Sequence, residues 1–363
     1  MGTDIGASVA CFFVTVLAMT ALRPVARAVE LVDKPGGRKT HRGEIPIVGG
    51  VAMFLGCVFA IGLLPANQFI STSLLSASAL VVLVGLLDDR FEISPYARLT
   101  AHLVAALVVM STSTDLSITS LGHPFGAWAV DFSGLEASAF TCVAIVGAIN
   151  AFNMLDGMDG LAGSLAFIAL AAFWVLTDSA VGGFSLVCCG ALAAFLIFNL
   201  PAKYNRRFRC FMGDAGSTLL GFLLACICIS ASQGEEASLH PVTTLWFVAI
   251  PLYELLWTTM RRVLKGRSPF RPDRAHLHHK LLDAGFGVRG AFVVLVSLGA
   301  LLVLMGITIH SLDIPDSASF AAWIASGVAI VLLMQRAELL WYVMPDSFRR
   351  TRPIEIEIAS KAG

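Results

Sequence analysis

Two adjacent aspartates, Asp88 and Asp89, end an apolar stretch of this 363-residue chain. The C-terminal end of a helix carries partial negative charge, so helix stability gives no reason to place two acids there. Adjacent carboxylates also repel each other, which tends to raise one pKa and make that group a better proton acceptor near neutral pH. A solvated turn would accommodate the pair, but the pattern favours a catalytic role.

A second polar segment, 150–160, contains two acids and two amides but no Lys or Arg. The four side chains are Asn150, Asn153, Asp156 and Asp159. Asp-Gly steps are typical of turns, and Asp159 could simply cap the next helix. Oxygen ligands of this kind suit Mg²⁺, which keeps several waters and shares its other positions with substrate phosphates. A further acid, Asp214, directly precedes an apolar run, and an N-cap and a functional role are equally open for it.

Three of the eight histidines, His276, His278 and His279, fall within four residues beside five Arg and two Lys. Neutral histidines could bind zinc, but no cysteine accompanies them. Arg side chains and histidine donors instead suit a diphosphate. An earlier segment, 33–43, is dense in cations, Gly and Pro. It favours contact with anionic headgroups, although its Gly-rich backbone could also bind a phosphate.

These polar segments separate apolar stretches that are each near the ~20 residues needed to cross a bilayer as a helix. With 57% hydrophobic and 14% charged residues, the chain would be exceptional as a soluble domain. The sequence therefore predicts an all-α, polytopic integral membrane protein with about eleven transmembrane helices. The expected spans are 5–23, 45–64, 70–87, 97–113, 134–149, 161–177, 182–199, 215–231, 241–260, 290–309 and 320–341.

All 25 Lys and Arg residues lie in alternate gaps between these spans, at the span ends that border those gaps, or in the C-terminal tail. Cytoplasmic loops retain basic residues, so this distribution predicts an external N-terminus, a cytosolic C-terminus and polar segments that face the cytosol. The net charge is zero and therefore gives no information about binding partners. Asp4 and the lack of a basic leader argue against a cleaved signal peptide.

The eight cysteines lie mostly inside the expected spans and form no C-x-x-C pair. This pattern predicts small buried side chains rather than disulfides or a zinc site. No internal repeat or separate soluble domain is evident. We therefore expect residues 1–363 to form a single transmembrane domain, with the polar motifs in a core of about 23–290.

Five of these segments resemble, in order and spacing, those of the polyprenyl-phosphate N-acetylhexosamine-1-phosphate transferases, or glycosyltransferase family 4. The segments are 33–50, 88–90, 150–160, 211–217 and 268–279. The H-x-H-H pattern is similar to the WecA-like branch, which uses UDP-N-acetylglucosamine. Another branch has three adjacent histidines and takes a UDP-muramoyl-pentapeptide. Two departures are Leu277, where Ile is more usual, and Glu254, where relatives often have another acid.

The resemblance implies a phosphoglycosyl transferase of the bacterial inner membrane. It would transfer N-acetylglucosamine 1-phosphate from UDP-N-acetylglucosamine to undecaprenyl phosphate on the cytosolic face, releasing UMP. The lipid product would initiate synthesis of a cell-surface polysaccharide such as lipopolysaccharide. Mg²⁺ is the implied cofactor, with Mn²⁺ as an alternative. No nucleic acid is implied as a partner, and a homodimer is left open.

Site residues are implied position by position. The expected catalytic residues are Asp88, Asp89, Asp156 and Asp159. The expected metal ligands are Asn153 and Asp214. The expected substrate-binding residues are Lys39, His41, Arg274, His276, His278 and His279.

Direct attack by the lipid phosphate is the expected mechanism, because the pattern demands no covalent nucleophile. The donor diphosphate is polyanionic, so a metal ion and Arg or His donors must neutralise the charge that grows on the departing UMP. One alternative is the same reaction with a different UDP-N-acetylhexosamine. Another is a metal-ion or nucleotide-sugar transporter, whose coupling acids should lie near the bilayer midplane, where only Glu254 comes close.

Overall fold

The computed structural model describes most of the chain, and apart from one short hairpin its regular structure is helical. The described residues are 2–34, 43–64, 69–111, 116–177, 180–200, 208–235, 237–268 and 276–337, together with Pro345 and Phe348. Thirteen helices lie within them: α1 (Gly2–Ala28), α2 (Gly49–Ile61), α3 (Thr72–Phe91), α4 (Pro95–Met110), α5 (Gly134–Leu155), α6 (Leu161–Leu176), α7 (Ala180–Asn199), α8 (Gly213–Ser232), α9 (Pro241–Phe247), α10 (Ala249–Leu264), α11 (Leu277–Asp283), α12 (Val288–Ser311) and α13 (Asp316–Gln335). Strands β1 (Val32–Asp33) and β2 (Ile45–Pro46) pair antiparallel.

Seven helices are long and apolar enough to cross a membrane, namely α1, α3, α5, α7, α8, α12 and α13. Helices α9 and α10 together make an eighth apolar unit, and α2, α4 and α6 are shorter apolar helices. Each of the eleven expected spans therefore contains a helix. The 13 residues of α2 reach only about 20 Å, whereas a bilayer core is about 30 Å thick. The chain is a polytopic membrane protein, and its described residues contain seven or eight units of membrane length.

The expected straight span 241–260 is instead two helices that meet at an angle of 87°. Pro251 lies near the start of α10 and has no backbone N–H to donate to the carbonyl of Phe247. Its ring would also clash with that carbonyl in a continuous helix. Accordingly α9 ends at Phe247, and α10 begins at Ala249 in a different direction.

Helix α8 lies at the centre of the bundle, and most of its residues are buried. Small residues allow its neighbours to approach closely. A Cβ atom on Gly85 of α3 would overlap the backbone of Ala215, and one on Gly221 would lie 2.6 Å from the carbonyl oxygen of Ala148 in α5. Helices α3 and α5 therefore both pack closely against α8. The polar residues at the C-terminal ends of α3 and α5 lie near the start of α8.

Backbone hydrogen bonds join the β hairpin to the residues that precede α8. Phe211 N–H donates to the Pro46 carbonyl at 2.9 Å, and Gly49 N–H donates to the Phe211 carbonyl at 2.9 Å. The end of segment 33–50 and the start of segment 211–217 are therefore adjacent in space.

Candidate active site

Asp88 and Asp214 come together through Arg98. The Arg98 Nη1 atom lies 2.5 Å from Asp88 Oδ2 and 3.4 Å from Asp214 Oδ2. Arg98 reaches them because α4 turns back on α3. The Ser94 hydroxyl accepts the Ala97 N–H at 3.2 Å, and a proline occupies the first turn, which favours a helix start there. The guanidinium thus links two carboxylates that are 126 residues apart in the chain.

Asp89 has different partners from Asp88. Its carboxylate accepts the Asp214 N–H at 2.9 Å and the Ala215 N–H at 3.2 Å. These are first-turn N–H groups of α8, which have no partner within their own helix. The residue at the N-cap position of α8 is Met212, which makes no side-chain cap. The N-cap interpretation of Asp214 is therefore wrong, because the carboxylate that caps α8 is that of Asp89.

The two expected metal ligands lie side by side. The Asn153 amide donates to Asp214 Oδ1 at 2.8 Å and to the Ser217 hydroxyl at 3.1 Å. Asn153 is in the last turn of α5 and Asp214 in the first turn of α8, so the close packing of these helices sets their separation. The Asn153 amide and the Asp214 carboxylate are therefore neighbours, and both contain hard oxygen atoms.

A surplus of negative charge surrounds this point. Asp156 follows directly after α5, and burial, together with the carboxylates of Asp214 and Asp89, raises its pKa well above the usual range. A divalent cation beside these acids would offset their repulsion, so the donor set fits Mg²⁺. No set of three or more His, Cys, Asp and Glu side chains forms a ready-made metal site in the described parts of the chain.

Asp159 pairs with Arg209, whose guanidinium also lies 5.5 Å from the ring centre of Phe211. The pair joins the loop after α5 to the segment that leads into α8. Nearby, Asn199 accepts the Gly160 N–H at 2.6 Å and donates to the Cys210 carbonyl at 2.9 Å. Helix α6 has Gly160 at its N-cap position and no side-chain cap, so Asp159 does not cap it.

The histidine segment is held by Glu254, which is only 1% exposed. One carboxylate oxygen lies 2.8 Å from His276 Nδ1, and the other accepts the Leu277 N–H at 2.8 Å. A third bond comes from the Thr258 hydroxyl at 3.0 Å. Because its carboxylate is occupied by these contacts, Glu254 has the environment of an anchoring residue rather than that of a transporter's coupling acid.

His278 is buried against the loop that follows α5. Burial, reinforced by the imidazoles of His279 and His276, lowers the pKa of His278 to about 4. At neutral pH it is therefore an uncharged donor or acceptor. Of the histidine donors expected for a diphosphate, His278 would therefore act without a positive charge.

Gly157 lies directly against the His278 ring. A Cβ atom at position 157 would lie 2.7 Å from Cε1 of this buried imidazole. We expect Gly157→Ala to displace the histidine segment, with a loss of about 1–3 kcal/mol in stability and roughly tenfold in activity. Thermal unfolding and steady-state rates of the purified variant check this.

A matched control is Gly183→Ala, because a Cβ atom there would meet the Asp4 side chain at an ordinary 3.5 Å. If Gly157→Ala behaves like this control in both measurements, the contact with His278 contributes to neither stability nor activity.

A cavity of about 700 Å³ opens beside these groups. Its polar lining includes Asp88, Arg98, Asn153, Asp214 and His276. Its remaining walls are largely apolar and include Leu99, Leu103, Val143, Val146 and Leu255, from α4, α5 and α10. Leu103 and Val143 are 41% and 69% exposed, so the apolar part opens to the outer surface of the bundle. One cavity therefore contains both charged groups and an apolar wall.

Four of the expected site residues line this cavity, namely Asp88, Asn153, Asp214 and His276. Three others lie outside the described residues: Lys39, His41 and Arg274. Sequence reasoning gave no role to Arg98 and noted Glu254 only as a departure from the family pattern and as the one acid close to the bilayer midplane. The Ser-Pro start of α4, which folds the chain back after Asp88, was a signal for Arg98. For Glu254, a carboxylate inside an apolar span was itself a signal that a specific partner exists.

Comparison with known proteins identifies the family to which this chain belongs. A model described as glycosyl transferase family 4 matches residues 71–232. A relative from Escherichia coli K12 is 36% identical over 353 residues, covering 96% of this chain and 92% of its own. A relative from Yersinia pestis is 39% identical over 322 residues, covering 87% of each chain. Both are named undecaprenyl-phosphate alpha-N-acetylglucosaminyl 1-phosphate transferase.

Proposed function

Because the chain belongs to glycosyl transferase family 4, we propose that it transfers N-acetylglucosamine 1-phosphate from UDP-N-acetylglucosamine to undecaprenyl phosphate and releases UMP. The names of its relatives support this reaction. The structural observation that carries it is the cavity with a charged end and an apolar wall. A lipid phosphate needs both, because its head is anionic and its chain is insoluble in water.

The acceptor phosphate binds at Arg98, and the polyprenyl chain runs along the apolar wall. Leu103 and Val143 lie where the wall is open, so the chain can enter sideways from the bilayer. Arg98 is about one-third exposed, which leaves its guanidinium accessible to a ligand. Asp88, on the same guanidinium, removes any proton left on the acceptor phosphate.

The donor lies between the histidine segment and the acids. One oxygen of the acceptor phosphate attacks the phosphorus that carries the sugar, and the bond from that phosphorus to UMP breaks with its electron pair on UMP. Asn153 and Asp214 would hold Mg²⁺, which would supply positive charge to neutralise the diphosphate. The three histidines contact the donor, as do Lys39, His41 and Arg274. Asp156 and Asp159 place the nucleotide.

Purified protein should release UMP from UDP-N-acetylglucosamine when undecaprenyl phosphate and Mg²⁺ are present. The donor assay should include other UDP-N-acetylhexosamines, because the cavity lining gives no rule that separates these sugars. Release of UMP with a different donor would change the substrate but keep the reaction. Inactivity with the whole panel would contradict the enzyme assignment.

The active site faces the cytosol of the bacterial inner membrane, and the chain crosses it eleven times with an external N-terminus. The one-sided distribution of Lys and Arg supports this orientation. The three short apolar helices and the bent α9–α10 pair supply the crossings beyond the seven long helices. The lipid product then starts a surface polysaccharide.

Single cysteines test that orientation. In a cysteine-depleted background, Ala129→Cys should react in intact cells with a membrane-impermeant thiol reagent, because Ala129 is exposed in the cation-free loop before α5. Ser360→Cys, in the basic tail, should react only after permeabilisation. The opposite pattern would invert the topology and place the candidate site outside.

A further inference from the structure

The two adjacent aspartates of α3 face different surroundings. Asp88 borders the cavity and contacts Arg98, whereas Asp89 contacts the start of α8 and does not border the cavity. Successive residues of a helix point about 100° apart, so both carboxylates cannot take the same orientation. The pair therefore divides into two separate contacts.

We propose that Asp89 is a positioning residue that caps α8 from the neighbouring helix and thereby holds Asp214 at the cavity. Asp88 is then the only member of the pair that can accept a proton from a ligand. This inference rests on the proposed function, since it assigns roles within that reaction.

The start of α8 depends on this contact. Met212 supplies no cap, and the two first-turn N–H groups that Asp89 accepts belong to Asp214 and Ala215. The cap therefore binds the backbone of the same residue whose side chain meets Asn153 and Arg98. A shift of this turn would move the Asp214 carboxylate directly.

The backbone before this turn is shaped around Asp89. Gly213 has a φ of +71°, a left-handed conformation that suits glycine, and a Cβ atom on it would overlap the Asp89 carboxylate. Gly85, four residues before Asp89 on α3, packs directly on the Ala215 backbone. With α3 pressed against α8 at this point, the carboxylate has a fixed distance to the N–H groups that it caps.

The geometry also makes Asp89 a poor proton acceptor. Each of its two oxygens already accepts an N–H group. Its carboxylate also does not border the cavity, so a ligand there would not reach it unless the side chain left the cap. Asp88 needs no such movement, because its carboxylate already borders the space that a ligand would fill.

The neighbouring residues provide a matched pair of variants, Asp88→Asn and Asp89→Asn. An asparagine oxygen can keep one of the two cap hydrogen bonds but does not accept a proton in catalysis. We expect Asp89→Asn to keep turnover within about tenfold of wild type, and Asp88→Asn to lose about 100-fold or more. Asp89→Ala, which has no cap, should lose more turnover than Asp89→Asn and should unfold at a lower temperature.

Metal binding gives a readout that does not depend on activity. Mn²⁺ binding without substrates, followed by electron paramagnetic resonance, should weaken in Asp89→Ala although Asn153 and Asp214 are intact. Asp89→Asn should restore most of the affinity. If Asp89→Ala does not fold, the comparison of the two asparagine variants decides.

Two results would overturn the assignment. One is an Asp89→Asn variant that loses as much turnover as Asp88→Asn while its melting temperature and Mn²⁺ affinity are unchanged. The other is an Asp89→Ala variant with wild-type Mn²⁺ affinity and stability. A wild-type protein that is inactive on every UDP-sugar would instead contradict the proposed function, whereas the stability and Mn²⁺ results would still test the cap.

Discussion

Asp214→Asn is expected to lower turnover by about 100-fold or more and to raise the Mg²⁺ concentration for half-maximal activity by roughly 10- to 100-fold. The Asp214 carboxylate is where Asn153 from α5 and Arg98 from α4 meet. An amide keeps the shape of the side chain but removes the negative charge that a hard cation requires. Initial rates against Mg²⁺ concentration measure both effects.

Asn153→Ala should show the same pattern because it removes the neighbouring oxygen ligand. A useful control is Ser217→Ala, since the Ser217 hydroxyl contacts the same Asn153 amide at 3.1 Å but is not an expected ligand. It should remain close to wild type. Wild-type turnover and wild-type half-saturation in both Asp214→Asn and Asn153→Ala would show that the metal is held elsewhere.

Glu254→Ala is expected to raise the KM for the UDP-sugar by about 10-fold or more, with a loss of about 2–3 kcal/mol in the free energy of unfolding. Removal of the carboxylate leaves the Leu277 N–H and His276 Nδ1 without their acceptor in a buried setting. The histidine segment would then be free to move relative to α10. Donor titrations at saturating acceptor measure the KM.

Thr258→Val separates stability from donor positioning. It removes the third hydrogen bond to Glu254 while leaving both contacts to the histidine segment in place. We expect a small loss of stability and an unchanged donor KM. If Glu254→Ala and Thr258→Val both lose stability and neither changes the donor KM, then Glu254 only supports the fold.

Sequence and structure agree best where the determining pattern is local. Each expected apolar stretch contains a helix, because burying backbone polar groups in an apolar run requires their internal hydrogen bonding. The bend before α10 was missed although its cause, Pro251, is local as well. A proline near the start of a helix is well tolerated, so the hydropathy pattern agreed equally well with one continuous helix over 241–260.

The expected site residues were chosen by chemical type, and the structure brings many of them to one cavity. Most of their partners could not be predicted, because the contacts join residues from different helices. Asp159 meets Arg209, and His276 meets Glu254, only after several helices have packed. The low pKa of His278 likewise depends on burial beneath another loop.

By itself, the sequence determined that this is a helical membrane protein of glycosyl transferase family 4, since apolar length and motif order are properties of the linear chain. Only the tertiary structure decided which of two neighbouring acids caps a helix and which borders the cavity. That distinction depends on how α3 is rotated against α8. The rotation is fixed by close packing at Gly85 and by the backbone of Gly213, neither of which the acid pair itself reveals.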